Sequence, residues 1–529
     1  MPMTPETIRD AVKHEGRISR RLFLAWSASL AALPFLPESS SGAPRRPRFQ
    51  TDPFSLGVAS GDPDHTGFVL WTRLAPRPLD PDGGMPNSKA DVLWEVAEDE
   101  EFKTVVKSGT SPAAPILAHT VHVEVEGLPT DRWYWYRFKS GDATSPVGRA
   151  RTLPDAAASP NRLRFAFASC QHYEAGLFTA YERMAQDELD LVFHLGDYIY
   201  EGPGRPGGIR THAGPKLMTL TDYRIRYAQY RSDPLLHRMH ARCPWFVTWD
   251  DHEVENNYAA DISERAAADP AEFLIQRQNA YQAYYEVMPL RRRSIPRGPD
   301  MQLYRKAAFG RLAEFFVLDT RQYRTDQPNN DRPAPLNEAA LNPANSLLGE
   351  RQRTWLQSSL ANTNGRWNIL AQQVMMGMVG FNRADGKAYS MDQWPSAAHE
   401  RMALMQFMAD RRVSNPVVLT GDIHSNWVND LRVDDRKPET PVVATEFVGT
   451  SITSGGNGSD RPAGVDALMA DNSCVKFHNR QRGYVRCTVT PTAYRSDYVI
   501  VEDITKPGGK VTERASFTIE SNRPGARPA

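Results

Sequence analysis

The chain has 529 residues, 40% hydrophobic and 24% charged, with 63 lysines and arginines against 63 aspartates and glutamates. That length is too great for one hydrophobic core and calls for two or more domains, while the ordinary composition excludes extended disorder over most of it. A formal net charge of zero provides no field for steering nucleic acid or anionic membrane, so stable nucleic-acid binding is not expected.

At the N-terminus, Ser19-Arg20-Arg21-Leu22-Phe23-Leu24 precedes an apolar stretch from Ala25 to Leu36 that Pro34 interrupts. The stretch is too short to span a bilayer stably. Paired arginines before a modest apolar run resemble a twin-arginine export signal, here residues 1–43 with Ser39 to Ala43 as the cleavage zone. The plain alternative is an accidental Arg-Arg ahead of a buried helix. An export signal makes the twin-arginine machinery a partner and places the mature protein in the periplasm or outside the cell. No other stretch qualifies as a transmembrane anchor.

Residues 52–153 read as short strands between turns. Val121, Val123 and Val125 alternate with His122, Glu124 and Glu126, the period of a half-buried strand. "WYWYRF" (Trp133 to Phe138), Phe68 to Leu74 and Val92 to Val96 add three more. About seven strands in a hundred residues predict a small β-sandwich of immunoglobulin or fibronectin type. Nothing in it looks catalytic, which suits a structural or lid role.

After the Pro/Ala/Ser linker from Pro154 to Pro160, apolar strands alternate with helical stretches over 160–515: "LRFAFASC", "LDLVFHLGD", "WFVTWDD", "EFFVLDTR", "WNILAQQV" and "PVVLTGD". This alternation predicts a layered α/β domain. Tyr223, Tyr227 and Tyr230 share one helical face, as do Leu404, Phe407 and Met408 after Pro395 opens a helix; both stripes read as core. Arg291-Arg292-Arg293 reads as a solvated loop. "GYVRCTVTP" and "DYVIVEDI" return to strands that extend the sheets. The four cysteines, Cys170, Cys243, Cys474 and Cys487, form no CxxC, which excludes a zinc ribbon. Cys474 and Cys487 flank a loop in this strand-rich tail and are placed to pair in an oxidising compartment.

Four of the strands end in chelating residues. "FASCQ" ends at Cys170, "HLGDYIY" at Asp197 and Tyr200, "VTWDDHE" at Asp250, Asp251, His252 and Glu253, and "LTGDIHSNW" at Asp422 and His424. Each alone has a bland reading: Cys170 as a small buried hydrophobe, His424 as a core histidine. Together at the carboxyl ends of parallel strands they predict a metal site. His172, His194, His212 and His399 lack such company and read as structural.

The series Asp-x-x-Tyr, Asp-His-Glu and Gly-Asp-x-His is similar to the calcineurin-like metallophosphoesterases. The spellings "SCQ", "GDYIYEG", "WDDHEVENN", "LTGDIHSNW" and "EFVGTSITSGG" resemble the PhoD alkaline phosphatases, over nearly everything after the signal. The wider superfamily normally opens with Asp-x-His; Cys170 stands in that place here, as in PhoD. The resemblance implies that Cys170, Asp197, Tyr200 and His424 bind one ion, a set that suits Fe(III). It implies that Asp197 bridges to ions held by Asp251, Asp422 and Asp392 of "YSMDQW". These all-oxygen donors suit calcium, in two positions, with magnesium or manganese as substitutes.

On this reading Asp251 and His252 are the catalytic residues, and His252 hydrogen-bonds the phosphate or leaving oxygen. Asp250 orients His252 from behind. Asn256, Asn257 and Arg321 are candidate phosphate contacts, although Arg321 reads more readily as a structural salt bridge. "SITSGG" reads as a loop supporting the metal site in preference to a phosphate cradle. In the Bacillus-type pattern an arginine lies three residues before Asp392; this chain has Tyr389, so phosphate clamping differs. The implied activity is an exported, metal-dependent phosphomonoesterase that also cleaves diesters. Its substrates are small phosphate esters, including phospholipid or nucleotide esters. Two alternatives remain at this stage: phospholipase D-like activity at the same site, and a non-catalytic exported metal-binding protein.

Overall fold

The computed structural model describes residues 48–383 and 386–529. The expected export segment, 1–43, lies outside the described residues. Among those described, no helix is long and apolar enough to cross a membrane.

Two large sheets organise the chain. The first orders its ten strands as Arg523–Pro528, Val511–Glu520, Ala493–Val501, Arg482–Val489, Leu163–Ala168, Leu191–His194, Trp245–Val247, Val58–Gly61, Phe68–Arg73 and Thr120–Val125. At its centre Leu163–Ala168, Leu191–His194 and Trp245–Val247 run parallel, with Leu191 opposite Phe165 and Val192 opposite Trp245. The second sheet orders Arg305–Phe309, Ala313–Val317, Trp367–Ala371, Pro416–Thr420, Ala444–Val448, Asn426–Leu431 and Val475–Asn479. Four adjacent strands in it, from Ala313–Val317 to Ala444–Val448, are parallel.

The strand sequences explain why the sheets stack. In "LRFAFA" the odd positions Phe165 and Phe167 face the second sheet, where they meet Phe315, Ile369, Val417 and Phe447. The even positions Ala166 and Ala168 face helices on the outer side, alongside Tyr181, Tyr227 and Tyr284. Both faces are apolar because both are covered, which is why these strands read as continuous apolar runs. Each fully buried phenylalanine or leucine contributes roughly 1.5–3 kcal/mol.

On the far side of the second sheet, Phe316, Leu370 and Val418 pack against Leu356, Leu404 and Met408. Those last three come from the helices Gly349–Ala361 and Ala398–Asp410. Phe407 is only partly buried there. Pro395 lies in the 3-10 turn Trp394–Ala397 that leads into the second helix. The tyrosine stripe Tyr223, Tyr227 and Tyr230 is buried on Leu220–Arg231, whose start is fixed by a capping box between Thr219 and Asp222.

The N-terminal segment differs from a self-contained unit. Its strands Ala90–Ala97, Val105–Ala113, Trp133–Ser140, Ala143–Thr144 and Gly148–Arg151 form their own sheet. That sheet packs on Phe68, Leu70 and Val123 through Val92, Val96, Tyr134 and Phe138. Yet the opposing strands belong to the ten-stranded sheet, because Gly61 pairs in parallel with Trp245. The same sheet also continues past residue 515, through the hairpin that sets Phe517 against Pro528.

The solvated loop expected at Arg291 is corrected for the same reason. Its guanidinium is buried at the junction, donating twice to the Asp62 carbonyl (3.1 and 3.0 Å) and to Asp64 (2.7 Å). The cysteine pairing is not formed. All four cysteines are free and buried, with Cys474 and Cys487 in different core clusters.

Candidate active site

The loops that leave the parallel strands at their carboxyl ends meet over the seam between the two sheets. Their turns are tight, and the backbone shows it: Cys170 (φ 58°), Asp197 (φ 56°), Asp422 (φ 62°) and His424 (φ 52°) all adopt left-handed conformations. Non-glycine residues there cost about 1–3 kcal/mol each and persist where the surroundings impose them. The glycines before Asp197 and Asp422 permit the approach. A Cβ on Gly196 (φ 110°) would sit 2.4 Å from the Asp250 Cβ, and one on Gly421 would sit 2.5 Å from the Ser169 Oγ.

Three groups of donor atoms result, within each of which the atoms lie inside 4.8 Å of one another: Cys170, Asp197 and His424; Asp197, Asp251 and His252; Asp250, Asp251 and Asp422. Asp197 belongs to two groups and Asp251 to two, so the three form one chain of sites. Tyr200 joins the first, its hydroxyl donating to Asp197 Oδ2 at 2.8 Å and lying 3.2 Å from His424 Nε2. Ser454 of "SITSGG" holds that hydroxyl from the other side at 2.6 Å and donates to the Cys170 carbonyl at 2.8 Å. This loop therefore supports the first donor group.

The electrostatics are those of crowded anions. Burial, then neighbouring Asp251 and Asp250, raises the Asp197 carboxyl well above its usual range despite His252. Burial and Asp392 push Asp422 up to about 6. Burial likewise opposes ionisation of Asp251, but Arg321 and His252 hold it below its usual value. Burial and Asp197 raise both the Cys170 thiol and the Tyr200 phenol. Asp197 Oδ1 and Asp250 Oδ2 are buried with no hydrogen-bond partner. Lone pairs left unpaired in a buried carboxylate cluster fit a cation.

His252 is the one imidazole of the set with a carboxylate behind it. Its Nδ1 lies 2.7 Å from Oε2 of Glu201, and its ring packs 4.2 Å from that of Tyr200. Burial disfavours the imidazolium, yet Asp251, Asp197 and Glu201 together raise its pKa well above the usual value. The expectation that Asp250 orients His252 is therefore corrected: Glu201 does so, and Asp250 belongs with the donor groups.

Glu253 ties two loops together. Oε2 accepts the Asp197 and Asp250 amides (3.1 and 2.8 Å), and Oε1 accepts that of Tyr198. Arg226 clamps the loop after Tyr200 by donating to the carbonyls of Tyr200 and Gly202. Glu201 stands in the motif "GDYIYEG", but its type and position give no sign of its role behind His252, and Arg226 has no local signal.

Three expected substrate contacts are turned elsewhere. Arg321 is fully buried, donating to Asp250 at 2.5 Å and with both Nη atoms to Asp392 at 2.6 and 2.8 Å, with Asp251 and Asp422 each at 3.9 Å. It is the hub of a buried salt-bridge network. Asn256 donates its amide to Glu264 at 2.8 Å, and Asn257 donates its own to Asp331. What Asn257 supplies to the site is its backbone N–H, 2.7 Å from Asp251 Oδ2.

Asp392 lies beside the donor groups, but its oxygens are taken by Arg321, Arg324 (3.0 Å) and Gln327 (3.0 Å). Its place is that of a counter-ion to the arginines. Tyr389, three residues before Asp392, is buried in an isolated bridge to Ala334.

His172 and His212 do come close to the site, with the His172 ring 4.4 Å from that of Tyr200. Glu174 lies with them. His172 Nδ1 accepts the Glu174 N–H at 3.2 Å, and both His212 nitrogens are engaged, with Arg226 (3.2 Å) and the Tyr230 hydroxyl (2.9 Å). His194 stacks between Tyr198 and Trp245, away from the donors.

Residues 165–498 match the PhoD-like phosphatase family, and residues 39–154 match its N-terminal domain. Alkaline phosphatase D of Bacillus subtilis (strain 168) is 51% identical over 486 residues, covering 91% of this chain and 83% of that protein. The solved structure of PhoD is similar with a TM-score of 0.89 at 50% identity, over 91% of this chain and 93% of that one. The protein is thus a phosphoric ester hydrolase. More closely, the chain belongs to the PhoD-like phosphatase family.

Proposed function

We propose that the protein is an exported, metal-dependent phosphoesterase that hydrolyses phosphate monoesters and, at the same site, diesters. The observation that carries metal dependence is the pair of unpartnered buried oxygens, Asp197 Oδ1 and Asp250 Oδ2, inside the converged donor groups. Cys170, Asp197, Tyr200 and His424 would hold a ferric ion, since thiolate, phenolate and imidazole suit a redox-capable transition metal. Asp250, Asp251, Asp422 and the shared Asp197 would hold calcium ions, with magnesium or manganese as substitutes. Such ions supply Lewis acidity and make an oxygen nucleophile available near neutral pH.

The chain's own groups do the rest. Glu201 fixes the His252 ring at Nδ1, which leaves Nε2 to donate to a phosphoryl or leaving-group oxygen. Arg321 holds Asp250 while pairing with Asp392. Export rests on Arg20-Arg21 and the apolar run behind them.

The test is hydrolysis of a chromogenic monoester beside its diester, before and after calcium chelation and again with calcium restored. Activity that disappears and returns supports the reading, and the ratio of the two rates ranks the ester classes. Hydrolysis untouched by exhaustive chelation overturns it.

A further inference from the structure

At the opposite end of the second sheet the chain builds a different cleft. Its walls are the turns that lead into three adjacent parallel strands: Arg311 and Leu312 before Ala313–Val317, Gly365 and Arg366 before Trp367–Ala371, and Arg411 to Ser414 before Pro416–Thr420. Its volume is about 680 Å³. Five residues at about 3.3 Å each separate these amino ends from the catalytic loops, a distance of roughly 17 Å.

Four arginines line this cleft, Arg311, Arg366, Arg411 and Arg412, and no aspartate or glutamate does. All four are exposed. Some arginines elsewhere are heavily paired, as Arg486 is with Asp187, Asp497 and Glu513. Here none of the four makes an ion pair among the described residues. Arg366 donates to the Pro491 carbonyl at 3.2 Å, and Arg411 lies 5.8 Å over the Phe407 ring. Glu314, on the first of the three strands, is buried beneath Gly365, where it accepts the Asn364 N–H at 3.2 Å. In a chain of zero net charge, four unpaired guanidinium groups around one concavity form a local excess that the fold itself does not need.

We propose that this cleft is a second anion site that binds a condensed phosphate, a chain of two or three phosphoryl groups. Guanidinium recognises phosphate through paired N–H donors and stays charged at all working pH values. Four of them match the charge of such a chain better than that of one orthophosphate. The volume falls within the range of small-molecule sites. The site lies outside the catalytic loops, so its occupant is held and not cleaved there.

The probe is imidodiphosphate, whose P–N–P link resists hydrolysis, titrated calorimetrically into the metal-loaded full chain. Two binding events per chain are expected, one at the active site and one at the cleft. The Arg311→Ala, Arg411→Ala double variant should lose the second event or weaken it at least tenfold, while hydrolysis of a small monoester is unchanged. Arg366→Gln serves as an independent variant and should weaken the same event if the double variant does not fold. A single event in the unaltered protein, two undiminished events in a folded variant, or orthophosphate binding to the cleft as tightly as imidodiphosphate would each overturn the proposal. Because the variants leave the catalytic loops intact, failure here is separable from failure of the phosphoesterase reading.

Discussion

Nδ1 of His252 lies 2.7 Å from Oε2 of Glu201, although 51 residues separate them in the chain. Glu201 also accepts the Asn256 N–H at 3.2 Å, so one carboxylate both aims the imidazole and braces the turn that follows it. His252→Ala should lower kcat by about 10²–10⁴-fold, the range of general acid–base contributions. Glu201→Gln keeps the shape but weakens the charge support. It should lower kcat by a smaller factor, about tenfold, and move the pH profile while KM changes little. Steady-state kinetics over pH on both variants checks this.

Arg321 is surrounded by carboxylates and closed to solvent. Arg321→Met leaves Asp250 and Asp392 buried without their cation. A broken buried pair costs about 3–5 kcal/mol, so the variant should show a lower urea midpoint as well as low activity. A phosphate-binding arginine would instead raise KM with stability intact.

Tyr200 meets Asp197, His424 and Ser454 through its hydroxyl. If it carries a phenolate on ferric iron, the purified protein should show a visible absorption band that Tyr200→Phe abolishes. Iron content measured in parallel separates a lost ligand from a lost metal.

Gly196→Ala would force a Cβ to within 2.4 Å of Asp250 Cβ at a φ of 110°. Overpacking of this kind costs about 1–3 kcal/mol. Since Gly196 precedes Asp197 and abuts Asp250, metal content should fall together with the melting temperature.

His194 is buried between aromatic rings, and burial lowers its pKa from 6.5 to about 3. Protonation therefore favours the unfolded chain between these values. The stability tied to this neutral ring is full above about pH 6.5 and declines as pH falls toward 3, at about 1.4 kcal/mol per pKa unit. Urea midpoints should drop across this window, and less steeply in His194→Phe.

Much of the architecture was legible because its signals are local. "LRFAFA" names both a core-facing row of phenylalanines and a helix-facing row of alanines, and alternation of strand and helix is a property of neighbours in sequence. The donor residues were legible for the same reason: Cys170, Asp197, Asp251, Asp422 and His424 each stand where an apolar strand stops. Strand periodicity says nothing, however, about which sheet a strand joins. Only the pairing of Gly61 with Trp245 places Val58–Gly61 in the main sheet.

By itself the amino-acid sequence determined which residues are delivered to the strand ends, since alternation and glycine placement are written into consecutive positions. Tertiary structure alone decided what each carboxylate faces. Arg321 arrives 71 residues from Asp250 and 71 from Asp392, drawing both to its guanidinium. Asp392 thereby becomes a counter-ion, while Asp250, with one oxygen left unpartnered, joins Asp251 and Asp422 in the donor groups. Ion-pair partners act through space over a few ångströms, and sequence spacing carries no record of that distance.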